Sequence, residues 1–401
     1  MSDQPIRFAK RLEGFGRQTG FEIKQQALKL EAQGSDIIHL EVGEPDFPTP
    51  SNIVAAAKAA LDSGQTHYAP SAGLPVLRRA VADHVARKYD NDIAPAEVVI
   101  APGAKPLIFF SLQALVDPGE TVLIPDINFP AYEAAARIIG ARIDTYPLLE
   151  EKGFRPDLDV FRDKVAGNGP RLVILNSPHN PTGGMLTAED YTAIAEMAHE
   201  HDFWVLSDEI YSAIVYEGEH VSALSEKAFN GRLIMVDGWS KAFAMTGWRL
   251  GYGVMPAALA KKLATLTTNS NSCTCTFNQY GALEAIVNPI SWEAVDQMRN
   301  QFRKRRDYLI PELQKLGCSN VVNPKGAFYA FANLKNLGLT SREINDRLLN
   351  EAHIAALHGT AFGEAGEGYI RFSFANSLVN LQKFIDRFSA WMDKNCNECV
   401  N

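Results

Sequence analysis

The sequence predicts an α/β fold with a mostly parallel sheet covered by helices, joined to a smaller α/β domain, and three features predict it. From about Glu97 to Pro256, short β-rich runs alternate with helical stretches. Those runs are continuously apolar, as strands covered on both faces should be. Each run ends in a corner rich in Gly, Pro, Asn, Asp or Ser. In open parallel sheets ligands gather outside the carboxyl ends of the strands, where these corners fall.

Taken in order, a strand at 98–100 leads into Ala101-Pro102-Gly103-Ala104-Lys105 and a helix at 106–116. A strand at 121–124 leads through Asn128-Phe129-Pro130 to a helix at 131–139. The run 172–175 opens into Asn176-Ser177-Pro178-His179-Asn180-Pro181-Thr182-Gly183. The run 203–206 ends at Ser207-Asp208-Glu209, and 233–236 ends at Asp237-Gly238-Trp239-Ser240-Lys241. From about Asn288 the pattern changes: helices at 292–316, 341–351 and 381–393 surround strands at 327–331 and 369–374. Residues 1–48 lack the strand–corner–helix rhythm and are assigned to this smaller domain, leaving 49–287 as the large domain and 288–401 as the C-terminal part.

At ~150 residues per domain, a chain of 401 residues has room for two or three domains. The charge sum of −8 leaves no electrostatic footprint for nucleic acid or an anionic membrane. The first residues lack the apolar core of a secretory signal, and no apolar run nears the ~18 residues of a membrane span. Five cysteines are too few for a disulfide scaffold and suit a reducing compartment, so a soluble cytoplasmic protein is expected.

Several motifs lead nowhere. There is no phosphate-binding Gly-x-x-x-x-Gly-Lys-Ser/Thr, and no Gly-x-Gly-x-x-Gly follows a strand. His199-Glu200-His201 reads as a solvated helix end, and Cys396-Asn397-Glu398-Cys399 has no partner pair, so no metal is expected. Gly238-Trp239-Ser240-Lys241-Ala242 misses the final glycine of a nucleophile elbow.

The strand-end corners carry the chemistry. Lys241 sits after an apolar strand, and a lysine partly removed from water has a lowered pKa and can form Schiff bases. A surface lysine at a helix start is the plain alternative. Arg249, in a Gly- and Trp-lined turn, is poorly placed for solvent and suited to a phosphate. Asp208 and Tyr211 lie three residues apart, so both can face one ligand; a helix-capping Asp208 reads equally well. Asn180, Gly103 and Ala104 are turn formers whose amides could also cradle phosphate oxygens.

Jointly these residues resemble the class I/II aminotransferases of the pyridoxal-phosphate fold-type-I superfamily. The matching strings are Tyr68-Ala69-Pro70-Ser71-Ala72-Gly73, Gly103-Ala104-Lys105, Asn176 to Gly183, Ser207-Asp208-Glu209-Ile210-Tyr211, Ser240 to Tyr252, and Tyr369-Ile370-Arg371-Phe372-Ser373. The resemblance implies pyridoxal 5'-phosphate as cofactor, with Lys241 its Schiff-base lysine and proton shuttle. It places Asp208 on the pyridine nitrogen, which keeps the ring protonated and electron-accepting. Asn180 and Tyr211 would bond the ring's 3′-oxygen, and Phe129 would stack on the ring. Arg249 with the amides of Gly103, Ala104 and Lys105 would hold the phosphate, and Ser240 is a weaker phosphate candidate because the usual serine position is Gly238. Tyr68 would reach the partner's phosphate, implying a homodimer with shared active sites. Arg371 would clamp the substrate α-carboxylate with Asn180 and the backbone of Gly43, and a segment around 14–21 would lie over the site.

The implied reaction is ping-pong transfer of an amino group from an L-amino acid to a 2-oxo acid. Side-chain specificity is expected from the N-terminal segment, Ile108-Phe109 and the partner's loop 269–277, which offers no cation for a dicarboxylate. Aspartate is the default substrate of the family, with aromatic or other neutral amino acids as alternatives. A β-elimination lyase could use the same residues. A transcription regulator built on this fold would need a DNA-binding domain, for which ~40 residues before Gly43 leave no room.

Overall fold

The computed structural model describes residues 6–12, 20–229, 231–318 and 321–398, with side chains to Asn395. Seven strands form the central sheet: β1 Val98–Ala101, β2 Thr121–Pro125, β3 Arg142–Tyr146, β4 Leu172–Asn176, β5 Trp204–Asp208, β6 Leu233–Gly238 and β7 Gly251–Val254. Their spatial order is β1-β7-β6-β5-β4-β2-β3. Neighbours from β6 through β5, β4 and β2 to β3 run parallel, and β7 runs against both β6 and β1.

The continuous apolar runs have a simple origin. Val173 and Leu175 of β4 enter the core on one face of the sheet, while Leu172 and Ile174 enter the core on the other. The same alternation holds for Leu233 and Met235 against Ile234 and Val236 in β6. Helices cover both faces, so neither set of side chains meets water. The edge strand β3 escapes this rule: Arg142 and Thr145 are exposed, and its mixed sequence does not read as an apolar run.

The predicted strands and helices sit where expected, with ends moved by a few residues. The helix expected at 106–116 is Ala104–Leu115, and its N-terminus opens directly on the corner after β1. The helix expected at 292–316 is Pro289–Lys315. It starts earlier because Asn288 accepts from Ile290 N at 3.0 Å and Pro289 occupies the first turn, where its missing N–H costs nothing.

The smaller sheet contains β8 Tyr329–Asn333, β9 Leu357–His358 and β10 Tyr369–Ser373, in the order β8-β10-β9, all antiparallel. Ile38–His39 pairs in parallel with Ile354–Ala355, and Ser373 N donates to Leu40 O at 2.9 Å. The chain on either side of the large sheet thus meets in one layer. Asp46 is anchored by Arg305 of the long helix through two bonds of 2.6 and 2.9 Å. Asn288→Ala should lower the unfolding free energy by about 0.5–2 kcal/mol, the range for losing such a cap, as read by urea denaturation. An unchanged midpoint would show that the cap contributes nothing.

Candidate active site

Strand register assembles the floor of the site. Asn176 pairs with Asp208, and Asp208 with Val236, so the ends of β4, β5 and β6 lie level. Asn176 Nδ2 donates to Asp208 O at 2.8 Å, and Asn176 Oδ1 accepts from Asn180 N at 3.0 Å. A side chain at one strand end therefore holds the backbone of the next two corners.

Asp208 is 3% exposed. Its Oδ2 accepts from Tyr132 OH at 2.7 Å and its Oδ1 from Ile210 N at 3.2 Å. Burial pushes its pKa up to about 6, while these donors and the nearby Lys241 charge pull it down. No helix follows Asp208; the chain turns through Tyr211, so the helix-cap alternative does not apply.

Lys241 stands in the short helix Trp239–Ala242 after β6. Its Nζ donates to Gly43 O at 2.5 Å and lies 6.0 Å from the centre of the Phe328 ring. Burial lowers its pKa to about 8; Arg371, Lys105 and Arg249 add to the lowering, and Glu44 opposes it. Those three cations therefore converge on one lysine. Ser240 beside it is buried.

The smaller sheet supplies the other wall. Arg371 of β10 is 5% exposed, with its guanidinium 4.5 Å from the centre of the Tyr329 ring and 5.0 Å from that of Phe362. It donates to Glu41 O at 2.5 Å and to Asn180 Oδ1 at 3.1 Å, while its buried Nε has no partner. A buried donor left unpaired costs free energy, so this side chain is set for an acceptor. Tyr211 OH bonds Tyr329 OH at 2.6 Å. A Cβ on Gly43 would lie 2.0 Å from that same Tyr329 oxygen, so only glycine fits there.

The antiparallel β7 delivers a further arginine. Gly251 pairs with both Ala101 and Gly238, which brings Arg249 beside the corner after β1. Gly103 has φ +99°, and a Cβ there would lie 2.5 Å from Arg249 Nη2. The free amides of Ala104 and Lys105 at the helix start and the Arg249 guanidinium thus form one anion cradle. Lys105 Nζ lies 5.0 Å over the Phe129 ring, and Phe129 packs edge-on against Tyr132 at 5.7 Å.

Some expectations need correction. Arg249 is exposed, not shielded from solvent: its turn opens outward and only Thr246 O, at 2.9 Å, holds the guanidinium closely. The loop expected at 269–277 is shorter, 272–275, since the helix Ala257–Asn271 runs into the segment and Thr276–Val287 leaves it. The expected cover at 14–21 and the Cys396/Cys399 pair fall almost wholly outside the described residues. Tyr132, Tyr329 and the carbonyl of Glu41 escaped the sequence reading. Tyr132 could have been found three residues after Phe129 at helical spacing; Tyr329 could not, because only the docking of the smaller sheet on the turn after β5 brings it to Tyr211.

A family model for aminotransferase class I and II matches residues 35–388. The chain belongs to the class I and II aminotransferases. It is 40% identical over 360 residues to the aspartate aminotransferase of Pyrococcus abyssi, covering 89% of this chain and 92% of that protein. It is also 40% identical over 359 residues to aromatic-amino-acid aminotransferase 2 of Thermococcus litoralis, covering 89% and 92%. Among solved structures, the Thermus thermophilus aspartate aminotransferase with maleate superposes with a TM-score of 0.91 at 36% identity, covering 96% of this chain and all of that one.

This aminotransferase is an enzyme dependent on pyridoxal 5'-phosphate, moving amino groups between amino acids and 2-oxo acids. Its own residues fit that group: an amine with a lowered pKa, a buried carboxylate, helix-start amides beside an arginine and an orphaned guanidinium N–H lie close together. Gly238 is also explained. A Cβ there would lie 2.9 Å from both Gly251 Cα and Leu250 O, atoms of the neighbouring backbone that cannot rotate away.

Two outcomes follow from this geometry. Gly238→Ser should force β6 and β7 apart and lower stability by about 1–3 kcal/mol in thermal unfolding, and a serine tolerated at no cost would show that the strands give easily. In cofactor-free protein, reductive methylation of Lys241 should rise with pH around a midpoint near 8, because the reactive free base predominates above its pKa. Peptide mass spectrometry showing a midpoint near the ordinary 10.5 would contradict a desolvated amine.

Proposed function

We propose that this enzyme is a cytoplasmic, homodimeric aminotransferase of aspartate type, working by a ping-pong mechanism. One observation carries the reading: Lys241, Asp208, Asn180 and Arg371 come from distant segments, yet lie together, with Arg371 bonded to Asn180 and Lys241 close enough to bias Asp208 and to be biased by Arg371.

When bound, the cofactor supplies an electron-accepting ring that stabilises negative charge on the substrate's α-carbon. Lys241 is the residue that would hold it covalently, and its amine then carries a proton to and from that carbon. A base with a pKa near 8 releases and accepts protons readily near neutrality. Asp208 would face the ring nitrogen, where a buried carboxylate favours the protonated base. Asn180 and Tyr211 would bond the ring oxygen, and Phe129 would cover the ring face. Gly103, Ala104, Lys105 and Arg249 would take the phosphate, with Ser240 as a possible additional donor.

Arg371 would read the α-carboxylate: its planar fork suits a bidentate carboxylate, and its unpartnered Nε awaits an acceptor. Asn180 and the backbone of Gly43 flank it. Closing the smaller domain and the chain before Gly43 over this pair would exclude water from the reacting carbon.

The substrate side chain needs a second cation if it is acidic. Arg371, Arg249 and Lys241 already have tasks, and the segment 269–277 contains none. Of the cations that act on Lys241, the ammonium of Lys105 is the one left for this. A similar enzyme was solved with the dicarboxylate maleate, which supports this reading.

The homodimer is supported by Tyr68, which is 87% exposed. An aromatic side chain that far out of its own fold is suited to a neighbouring subunit. No helix among the described residues is long and apolar enough to cross a membrane, which is compatible with a cytoplasmic site.

Lys241→Ala should abolish the visible absorbance of the cofactor adduct and turnover, leaving the far-ultraviolet dichroism unchanged; transamination at a near wild-type rate would refute the assignment. Lys105→Ala should cut kcat/KM for aspartate by about tenfold or more, the scale of one lost charge-assisted contact, and spare phenylalanine. Equal losses on both substrates would deny Lys105 a part in side-chain selection.

A further inference from the structure

Beneath the ends of β5 and β6 lies a buried polar cluster that the chemistry above leaves unused. Asp237, the second-last residue of β6, accepts from Gly238 N at 2.6 Å through Oδ1. Its Oδ2 accepts from Ser212 Oγ at 2.7 Å and from Tyr252 OH at 3.4 Å. Lys88, on the helix Pro75–Tyr89, donates from Nζ to Ser212 Oγ at 3.4 Å.

The donors run in one direction, ammonium to hydroxyl to carboxylate. Every partner of Asp237 presents an N–H or O–H, so the group at this position must accept through both oxygens at once. An amide could satisfy only one side. Around it, burial pushes Glu209 up to about 8 and His220 down to about 3, so both are neutral near pH 7; Tyr89 and Tyr252 have raised pKa values and are neutral too. Burial raises Asp237, and Lys88 opposes this most strongly; burial in turn lowers Lys88, which Asp237 opposes most strongly, so the two groups favour each other's charged form.

The two arms of this carboxylate hold different parts of the site. Ser212 directly follows Tyr211, and Gly238 opens the short helix that carries Lys241. The parallel pairing of β5 with β6 ends at Asp208 and Val236, so beyond it the strand ladder no longer joins the two turns. Asp237 spans that gap. We propose that Asp237 is a positioning residue for the Lys241 amine and the Tyr211 hydroxyl, holding their turns at a fixed separation, with Lys88 acting through Ser212 to keep the carboxylate charged. The inference rests on the roles given to Lys241 and Tyr211 above.

Asp237→Asn turns one acceptor into a donor, and Ser212→Ala cuts the link to Lys88. Both are compared with wild type in the rate at which cofactor-free protein takes up pyridoxal 5'-phosphate, and in the pH midpoint of the bound cofactor's absorbance. Asp237→Asn should slow uptake by about tenfold, the scale of a slightly misplaced reacting group, and shift the midpoint. Ser212→Ala should move both readouts the same way by less, and kcat should fall in each while KM for the amino acid changes less than about twofold. Wild-type uptake and midpoint in both variants, even with an earlier melt, overturn the proposal by showing a merely structural patch. Should Asp237→Asn not fold, Ser212→Ala decides by the same two readouts. Borohydride reduction of the wild-type holoenzyme with peptide mapping tests the underlying assignment separately: label on another lysine removes Lys241 and this inference together, whereas label on Lys241 with unaffected variants removes the tie alone.

Discussion

Everything in this enzyme depends on one electrostatic arrangement, a buried carboxylate and a desolvated amine held close to each other at the strand ends. Neither group would be stable alone in that setting. Burial raises Asp208 and lowers Lys241; the Lys241 charge offsets part of the first loss of water, and the Glu44 carboxylate part of the second. The sheet can impose this because its parallel strands end level, and rigid backbone rather than loop places both groups. Tyr132 then pins one oxygen of the carboxylate and Ile210 N the other, leaving its orientation no freedom.

The second wall comes from a different layer and is held by a different logic. Arg371 lies between aromatic rings, where a weakly hydrated guanidinium loses less than an ammonium would. Its contacts with Glu41 O and Asn180 tie three remote chain segments together. The pairing of Tyr211 with Tyr329 does the same between the two sheets. Closure of one layer on the other would therefore act directly on groups at the reacting centre.

Small residues mark where backbones approach. Gly43, Gly103 and Gly238 each exclude a side chain for a specific reason: a buried tyrosine hydroxyl, a backbone φ of +99° and a neighbouring strand. Gly238 follows from the close approach of β6 and β7.

Much of this was legible in the residues themselves. The alternation of apolar runs with polar corners gave the parallel sheet, since strands covered on both faces have no polar side to show. The corners named Lys241, Asp208, Asn180 and Arg249, because groups at strand ends share one edge. β3 was missed, as an edge strand keeps one side wet and loses the apolar signature. Tyr329, Glu41 and the Asp237–Ser212–Lys88 chain were also out of reach. By itself the sequence determined the fold class and the chemistry-bearing corners, through local patterns of burial and turn formation. Tertiary structure alone decided which distant side chains touch, because cross-strand register and the docking of one layer on another are set by packing over the whole molecule.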